Sequence, residues 1–220
     1  MLIISKYVGE QINFTTADGV SISASFVQSP TPKNTVVLLL HQLRKDRSIW
    51  DALVQKLATS GFSSLAIDFR GHGQSGGGSW EDFSDDQFKA MIGDVEAAGR
   101  YLKERLPSSE IAIIGASIGA NLALNYAVKN EVSRVVLLSP GLSYHGITTE
   151  EAASGLSKPL FVAASSDDPN PAMDAMKRIE ELAMTPDSLL KVVTYSDAGH
   201  GVNMFSKYPQ LQDEIVLWLK

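Results

Sequence analysis

Five short aliphatic runs constrain this chain more than any other feature of its sequence. Val36-Val37-Leu38-Leu39-Leu40 carries no polar alternation. Ser64-Leu65-Ala66-Ile67, Ile111-Ala112-Ile113-Ile114, Val135-Val136-Leu137-Leu138 and Leu160-Phe161-Val162-Ala163 repeat its character. A strand covered on one face alternates apolar and polar residues, so runs without alternation belong to strands buried on both faces, as in a parallel sheet. Leu190-Lys191-Val192-Val193-Thr194-Tyr195 adds a final, more mixed strand.

Helical spacing fills the gaps between these runs. Trp50, Leu53, Val54 and Leu57 recur at i, i+3, i+4 and i+7 before Gly61. Residues 83–106 read as one long helix stopped by Pro107, and residues 118–129, 172–183 and 209–220 give three more. The first forty residues differ: residues 11–16, an Asp18-Gly19 turn and residues 20–28, with Val20, Ile22, Ala24 and Phe26 alternating, predict an antiparallel hairpin. Helix following strand repeatedly predicts an α/β fold with a mostly parallel eight-stranded sheet, an antiparallel N-terminal hairpin and helices on both faces. At 220 residues the chain is expected to form one domain over 1–220.

Composition removes several function classes. Nineteen Lys and Arg against 25 Asp and Glu leave a net charge of −6 with no basic run, so nothing here matches a nucleic acid backbone. The absence of cysteine excludes a thiol nucleophile, a disulfide and a thiolate-bound metal. Five glycines between Gly71 and Gly78 lack the Gly-Lys-Ser/Thr ending of a phosphate loop, and the four histidines show no paired metal-binding spacing. No metal or other cofactor is expected. The stretch Met1-Leu2-Ile3-Ile4 is too short for an export signal, and the longest aliphatic run is five residues against the roughly 20 needed to cross a bilayer. A cytoplasmic protein without a membrane or nucleic acid partner is the expectation.

In a sheet of this kind, chemistry gathers at the carboxyl ends of the strands. There, after residues 111–114, stands Gly115-Ala116-Ser117-Ile118-Gly119, a G-x-S-x-G between a predicted strand and a predicted helix. A serine at the tip of a sharp turn crowds its neighbouring backbone, which is the steric reason for glycine two positions to either side. A serine needs a base to become a nucleophile. In this fold order the acid and then the histidine follow the serine, and only His145 and His200 lie beyond Ser117. Glu131 is the only acid between Ser117 and His145, and it falls at the wrong edge of the sheet. His200, between Gly199 and Gly201 after the last strand, is therefore the candidate base. The acid is expected just after residues 160–163, where Asp167 and Asp168 compete. Spacing from the strand favours Asp168, with capping of the turn before Pro169 as the other role for Asp167. Ser139-Pro140-Gly141 offers no acid after the preceding strand.

These residues resemble the α/β-hydrolase family over nearly the whole chain. Ser117, Asp168 and His200 match its nucleophile, acid and histidine in order and setting. His41 stands directly after the first buried strand, where the family's oxyanion loop begins, and Asp68-Phe69-Arg70-Gly71-His72-Gly73-Gln74-Ser75 is similar to the family's D-x-R-G-x-G-x-S segment. That segment is structural in the family, so Asp68 and His72 are expected to brace a loop. The chain departs from many relatives in reading His41-Gln42-Leu43 where they read His-Gly. A side chain there is tolerated in the dienelactone-hydrolase-like branch, which the short chain also resembles, although enzymes of that name often use cysteine.

The resemblance implies a serine esterase with an acyl-enzyme on Ser117, His200 as base, Asp168 as orienting acid and an oxyanion hole built from the backbone N–H groups of Leu43 and Ile118. Only about sixteen residues, 142–157, occupy the place where relatives insert a helical cap, which implies a capless, open site favouring short acyl chains. His41, Gln42, Leu142, Tyr144, Met204 and Phe205 are the expected substrate contacts, with Leu43 and Ile118 as further walls. The expected partner is a small-molecule ester. A peptidase or thioesterase using the same three residues, and a binding protein that keeps the fold without turnover, are the competing readings.

Overall fold

The computed structural model describes residues 7–220, and the stretch at residues 1–4 weighed above as an export signal lies outside them. An eight-stranded sheet forms the centre. Its hairpin comprises β1 (Glu10–Thr15) and β2 (Ser21–Val27), paired antiparallel with Phe14 opposite Ile22. The turn between them holds Gly19 at φ 85°, while Thr16 caps it by accepting the Val20 N–H at 2.9 Å. Next come β3 (Thr35–Leu40), α1 (Asp51–Thr59) and β4 (Ser63–Ile67).

The long helix expected over residues 83–106 is two helices. Ser84 and Gln87 close a capping box that starts α2 (Asp85–Lys89), and α3 (Ile92–Arg105) follows after a break. Through the break the N–H groups of Met91, Gly93 and Asp94 donate to carbonyls three residues back. This tighter winding turns Phe88 and Met91 together into the core. An apolar pattern reports which residues face inward, and here that pattern continues across a change of axis.

The second half alternates as expected: β5 (Glu110–Ala116), α4 (Ile118–Ala127) and β6 (Arg134–Leu138). The segment after β6 carries more structure than its sequence signalled, namely a two-stranded hairpin of β7 (Ser143–Tyr144) and β8 (Ile147–Thr148), then α5 (Glu150–Gly155). The chain finishes with β9 (Leu160–Ser165), α6 (Ala172–Leu182), β10 (Leu190–Tyr195), α7 (Met204–Lys207) and α8 (Gln210–Trp218).

Strand order in the sheet is β1-β2-β4-β3-β5-β6-β9-β10, with β1, β2 and β4 joined antiparallel and every pair from β4 through β3 to β10 parallel. Helices cover both faces because the buried strands alternate inward to two cores. Val36, Leu38 and Leu40 pack under α3 and α4 with Ile113 and Val135, while Val37 and Leu39 pack with Trp50, Leu57, Phe161 and Ile215 under α1 and α8. Each fully buried aliphatic side chain of this kind stabilises the fold by about 1.5–3 kcal/mol. The parallel part of the sheet begins at β3, builds outward to β4 and then crosses back to β5, so the loops after β3 and β5 part on either side of a crevice at the carboxyl edge.

Candidate active site

Ser117 is the one residue between β5 and α4, and it is held at φ 55°, ψ −124°. A non-glycine residue in that region stores about 1–3 kcal/mol, so its surroundings must impose it. They do so through the backbone: the Ser117 N–H donates to Leu138 O of β6 at 2.8 Å, and its carbonyl accepts from Ala120 N at 2.8 Å and Asn121 N at 3.2 Å. Backbone atoms crowd both flanking glycines. A Cβ on Gly115 would lie 2.1 Å from Gly119 O, and one on Gly119 would lie 2.5 Å from Leu40 O and 2.6 Å from His41 O.

His200 follows β10 on a loop whose Gly199 and Gly201 both take positive φ, 71° and 59°. Its Nδ1 lies 2.9 Å from Asp168 Oδ1 and 2.8 Å from Oδ2. The Asp168 side chain is 1% exposed and that of His200 16%. Burial alone would raise the Asp168 pKa, but hydrogen bonds from His200, the Asn170 N–H and the Ser139 hydroxyl hold it below the usual carboxylate range. Of the two competing aspartates, then, Asp168 faces the imidazole. Asp167 does different work: it accepts from Ser165 Oγ, from Ala198 N at 2.9 Å and from Gly199 N at 3.2 Å, fastening the histidine loop to the end of β9.

Ser117, Ile118, Gln42, Leu43, Tyr144 and His200 all line one cavity of about 470 Å³ at the carboxyl edge of the sheet. Ile118 opens α4, where an N–H has no intrahelical acceptor, and Leu43 sits in a turn closed by Lys45 N to Gln42 O at 3.3 Å. No protein acceptor takes either N–H among the described residues. The Tyr144 hydroxyl donates to Ser139 O at 3.5 Å and lies close enough to the Ser117 side chain to interact with it, and its ring stands edge-on to His200 with centroids 6.4 Å apart. Burial, against the Ser117 hydrogen bond and with the nearby Asp168 charge, pushes the phenol up to about 12, so it remains a neutral donor. Among the described residues, no group of three His, Asp or Glu is placed to hold a metal ion.

Four of the expected substrate contacts lie elsewhere. His41 is completely buried, its Nδ1 2.9 Å from Gln42 O and its Nε2 accepting from Phe69 N at 3.0 Å, and burial lowers its pKa to about 3. It is a neutral strut joining the loops after β3 and β4. Met204 is fully buried in the core that holds Trp50, Leu57 and Ile215, Phe205 packs against the Trp50 ring at 6.3 Å, and Leu142 is 38% exposed. Apolar character suited all three to a wall, but that character served packing and, for Leu142, a solvent-facing turn. Gln42 lines the cavity and also spans it: its Oε1 accepts from Val202 N at 3.0 Å, tying the loop after β3 to the histidine loop. Asp68 braces as expected, accepting from Arg47 N at 2.8 Å, the Arg47 guanidinium and Gln74 N at 2.8 Å. His72 also stays in its own loop, with Nδ1 2.9 Å from Arg70 O.

Two contributors were not singled out from the sequence. Ser139, at φ 49° after β6, occupies the strand end that the sequence left without an acid. Its hydroxyl meets Asp168 and accepts from Gly201 N at 2.8 Å. Asn121, fully buried in α4, donates to Ile147 O at 2.8 Å and accepts from Gly141 N at 3.0 Å. It pins the β7–β8 hairpin, and with it Tyr144, to the helix that Ser117 starts. A polar residue on the buried face of a predicted helix is the available sequence signal for Asn121.

Residues 31–206 match the family model described as serine aminopeptidase, S33. An uncharacterized protein of Mycobacterium tuberculosis is 27% identical over 186 residues, covering 74% of this chain and 64% of its own length, so the chain spans less than two thirds of the curated relative it matches. Among solved structures, an esterase of Pyrococcus furiosus superposes with a TM-score of 0.79 at 22% identity over 97% of this chain and 92% of its own. A thermostable carboxyl esterase of Bacillus coagulans gives 0.79 at 14% identity over 96% and 98%. An alpha-beta serine hydrolase homologue of Coxiella burnetii gives 0.76 at 16% identity over the full length of both. These likenesses establish the fold, and the family match establishes the lineage: the chain belongs to the S33 serine hydrolase family of α/β hydrolases.

Proposed function

We propose that the protein is a serine esterase that cleaves carboxylic esters of small acids through an acyl-enzyme on Ser117. The observation that carries this reading is the imidazole of His200 held 2.8 Å from the buried Asp168 carboxylate, on the wall of the cavity that also receives Ser117. In the first step the Ser117 Oγ attacks the ester carbonyl carbon while His200 Nε2 takes its proton. The ester C–O bond then breaks and the alkoxide leaves as the alcohol, carrying that proton. Water repeats the sequence on the acyl-enzyme, releasing the acid and restoring Ser117. Asp168 holds the Nδ1–H tautomer and stabilises the imidazolium. The free N–H groups of Leu43 and Ile118 are the donors for the oxyanion, and losing one such donor in a site of this kind costs about 2.7–4 kcal/mol of transition-state stabilisation.

The preference for short acyl chains rests on what covers the site. Only the β7–β8 hairpin and the six-residue α5 lie between β6 and the strand that leads to Asp168, so no helical cap encloses a long acyl tunnel. Hydrolysis of p-nitrophenyl esters from acetate to laurate, by wild type and Ser117→Ala in parallel, tests both parts. Turnover of two- to four-carbon esters that the substitution abolishes is expected. A preference for chains of twelve carbons overturns the short-chain reading, and activity unchanged in Ser117→Ala overturns the nucleophile.

The family's description as an aminopeptidase favours one second reading, cleavage of an amide at the same site. Aminoacyl p-nitroanilides assayed beside the esters separate the two, because a peptidase turns over the anilides at a measurable rate that Ser117→Ala abolishes, whereas an esterase leaves them intact.

A further inference from the structure

We propose that the cavity selects esters carrying an anionic group, a carboxylate above all, which Arg44 and Lys45 receive at its mouth. This deepens the esterase reading and rests on it. The chain carries a net charge of −6, yet the lining of this cavity includes both Arg44 and Lys45 and contains no aspartate or glutamate. Neither cation takes part in an ion pair among the described residues, whereas Arg47 next door is committed to Asp68. Asp46, which follows Lys45 in the chain, caps the next turn by accepting from Ser48 N at 2.9 Å.

The backbone supplies an independent reason to assign Arg44 a role. The turn from Gln42 to Lys45 is closed by the Lys45 N–H, and Arg44 takes its third position at φ 65°. Glycine occupies that position without strain, so an arginine there carries a backbone cost that a glycine would not. The side chain is also oriented: its guanidinium lies over the Trp80 ring at 5.7 Å, and Trp80 is in turn stacked on the buried His72 at 5.6 Å. Leu43, whose N–H faces the reacting carbonyl in the esterase reading, directly precedes it. An anion held by Arg44 thus sits on the same turn that receives the oxyanion, one residue along, and the carbonyl is positioned by a charge outside the reacting bond.

The test uses two matched pairs of esters, which place the anion on the acyl or on the alcohol side. Mono-p-nitrophenyl glutarate is compared with p-nitrophenyl valerate, and 4-acetoxybenzoate with methyl 4-acetoxybenzoate, each corrected for hydrolysis without enzyme. For at least one pair the charged member is expected to show a KM about three- to tenfold lower at low ionic strength. That ratio should collapse in Arg44→Gln/Lys45→Gln and in about 0.5 M salt. Equal KM within both pairs, or a preference that survives the double substitution, overturns the proposal. Calorimetric titration of Ser117→Ala with monomethyl glutarate and with methyl valerate reads the same discrimination without turnover. Failure of the esterase reading shows instead as p-nitrophenyl acetate hydrolysis that does not depend on Ser117, and the calorimetry then still decides the anion preference.

Discussion

The hydroxyl of Ser139 joins Asp168 to the loop of the histidine it faces: it hydrogen-bonds the Asp168 carboxylate while accepting the Gly201 N–H at 2.8 Å. A residue at the end of β6 thereby fixes both the acid at the end of β9 and the backbone one step beyond His200. Ser139→Ala removes the donor to Asp168 and leaves the buried Gly201 N–H without its acceptor. The loss expected is about 1–3 kcal/mol of stability, and a fall in kcat of roughly tenfold with KM little changed, read by thermal melting and steady-state kinetics.

The neighbouring aspartates separate cleanly by substitution. Asp168→Asn leaves an amide facing the imidazole and favours the wrong tautomer, so kcat is expected to fall by about 10³–10⁴-fold. Asp167→Asn leaves the ring untouched and weakens only the tie to Ala198 and Gly199, so kcat should stay within about tenfold of wild type. Comparable losses in both variants would contradict the assignment.

Asp167 also predicts a pH signature. Hydrogen bonds from Ser165 and from the Ala198 and Gly199 N–H groups hold its pKa below the ordinary 3.8. A group depressed in the folded state contributes stability that is complete above its unfolded value and is lost as pH falls through the folded one. The melting-temperature gap between wild type and Asp167→Asn should therefore be widest above about pH 4 and shrink on acidification below it. A gap that widens in acid contradicts this.

Tyr144→Phe removes the phenol that meets Ser117 but keeps the ring that packs over Gly141. Since the phenol stays protonated to about 12, its loss should lower kcat by severalfold without moving the pH profile between 6 and 10. A shifted profile would show that the phenol titrates in that range.

Gly119→Ala tests the steric reading of the serine turn. Its Cβ would fall within 2.6 Å of two carbonyl oxygens of the β3 end, backbone atoms that cannot swing aside. Overpacking of this kind costs about 1–3 kcal/mol, and activity should fall with it because the displaced carbonyls belong to the loop that leads to Leu43. A melting temperature within 1 °C of wild type would contradict the crowding.

The buried strands, the glycines around Ser117 and the order of serine, acid and histidine were legible because each answers to a local rule: unbroken aliphatic runs, a Cβ that has no space, a loop at a strand's end. The break at residues 90–91 was hidden because Phe88 and Met91 keep facing the core on both sides of it. His41, Met204 and Phe205 were misplaced for a related reason, since sequence reports that a ring or thioether is buried and not which side of a loop it is buried on. Ser139 carries no local signal in the sequence, because its importance lies in two partners, Asp168 and Gly201, that are distant in the chain and meet it only across the strand ends.

The most direct test of the account is covalent. Diethyl p-nitrophenyl phosphate should phosphorylate wild type once per chain, with the adduct mapping by peptide mass spectrometry to Ser117. Ser117→Ala should remain unlabelled, and His200→Ala should label at least about a hundredfold more slowly. An adduct on another residue, or ester hydrolysis that persists in fully Ser117-labelled protein, would contradict Ser117 as the nucleophile.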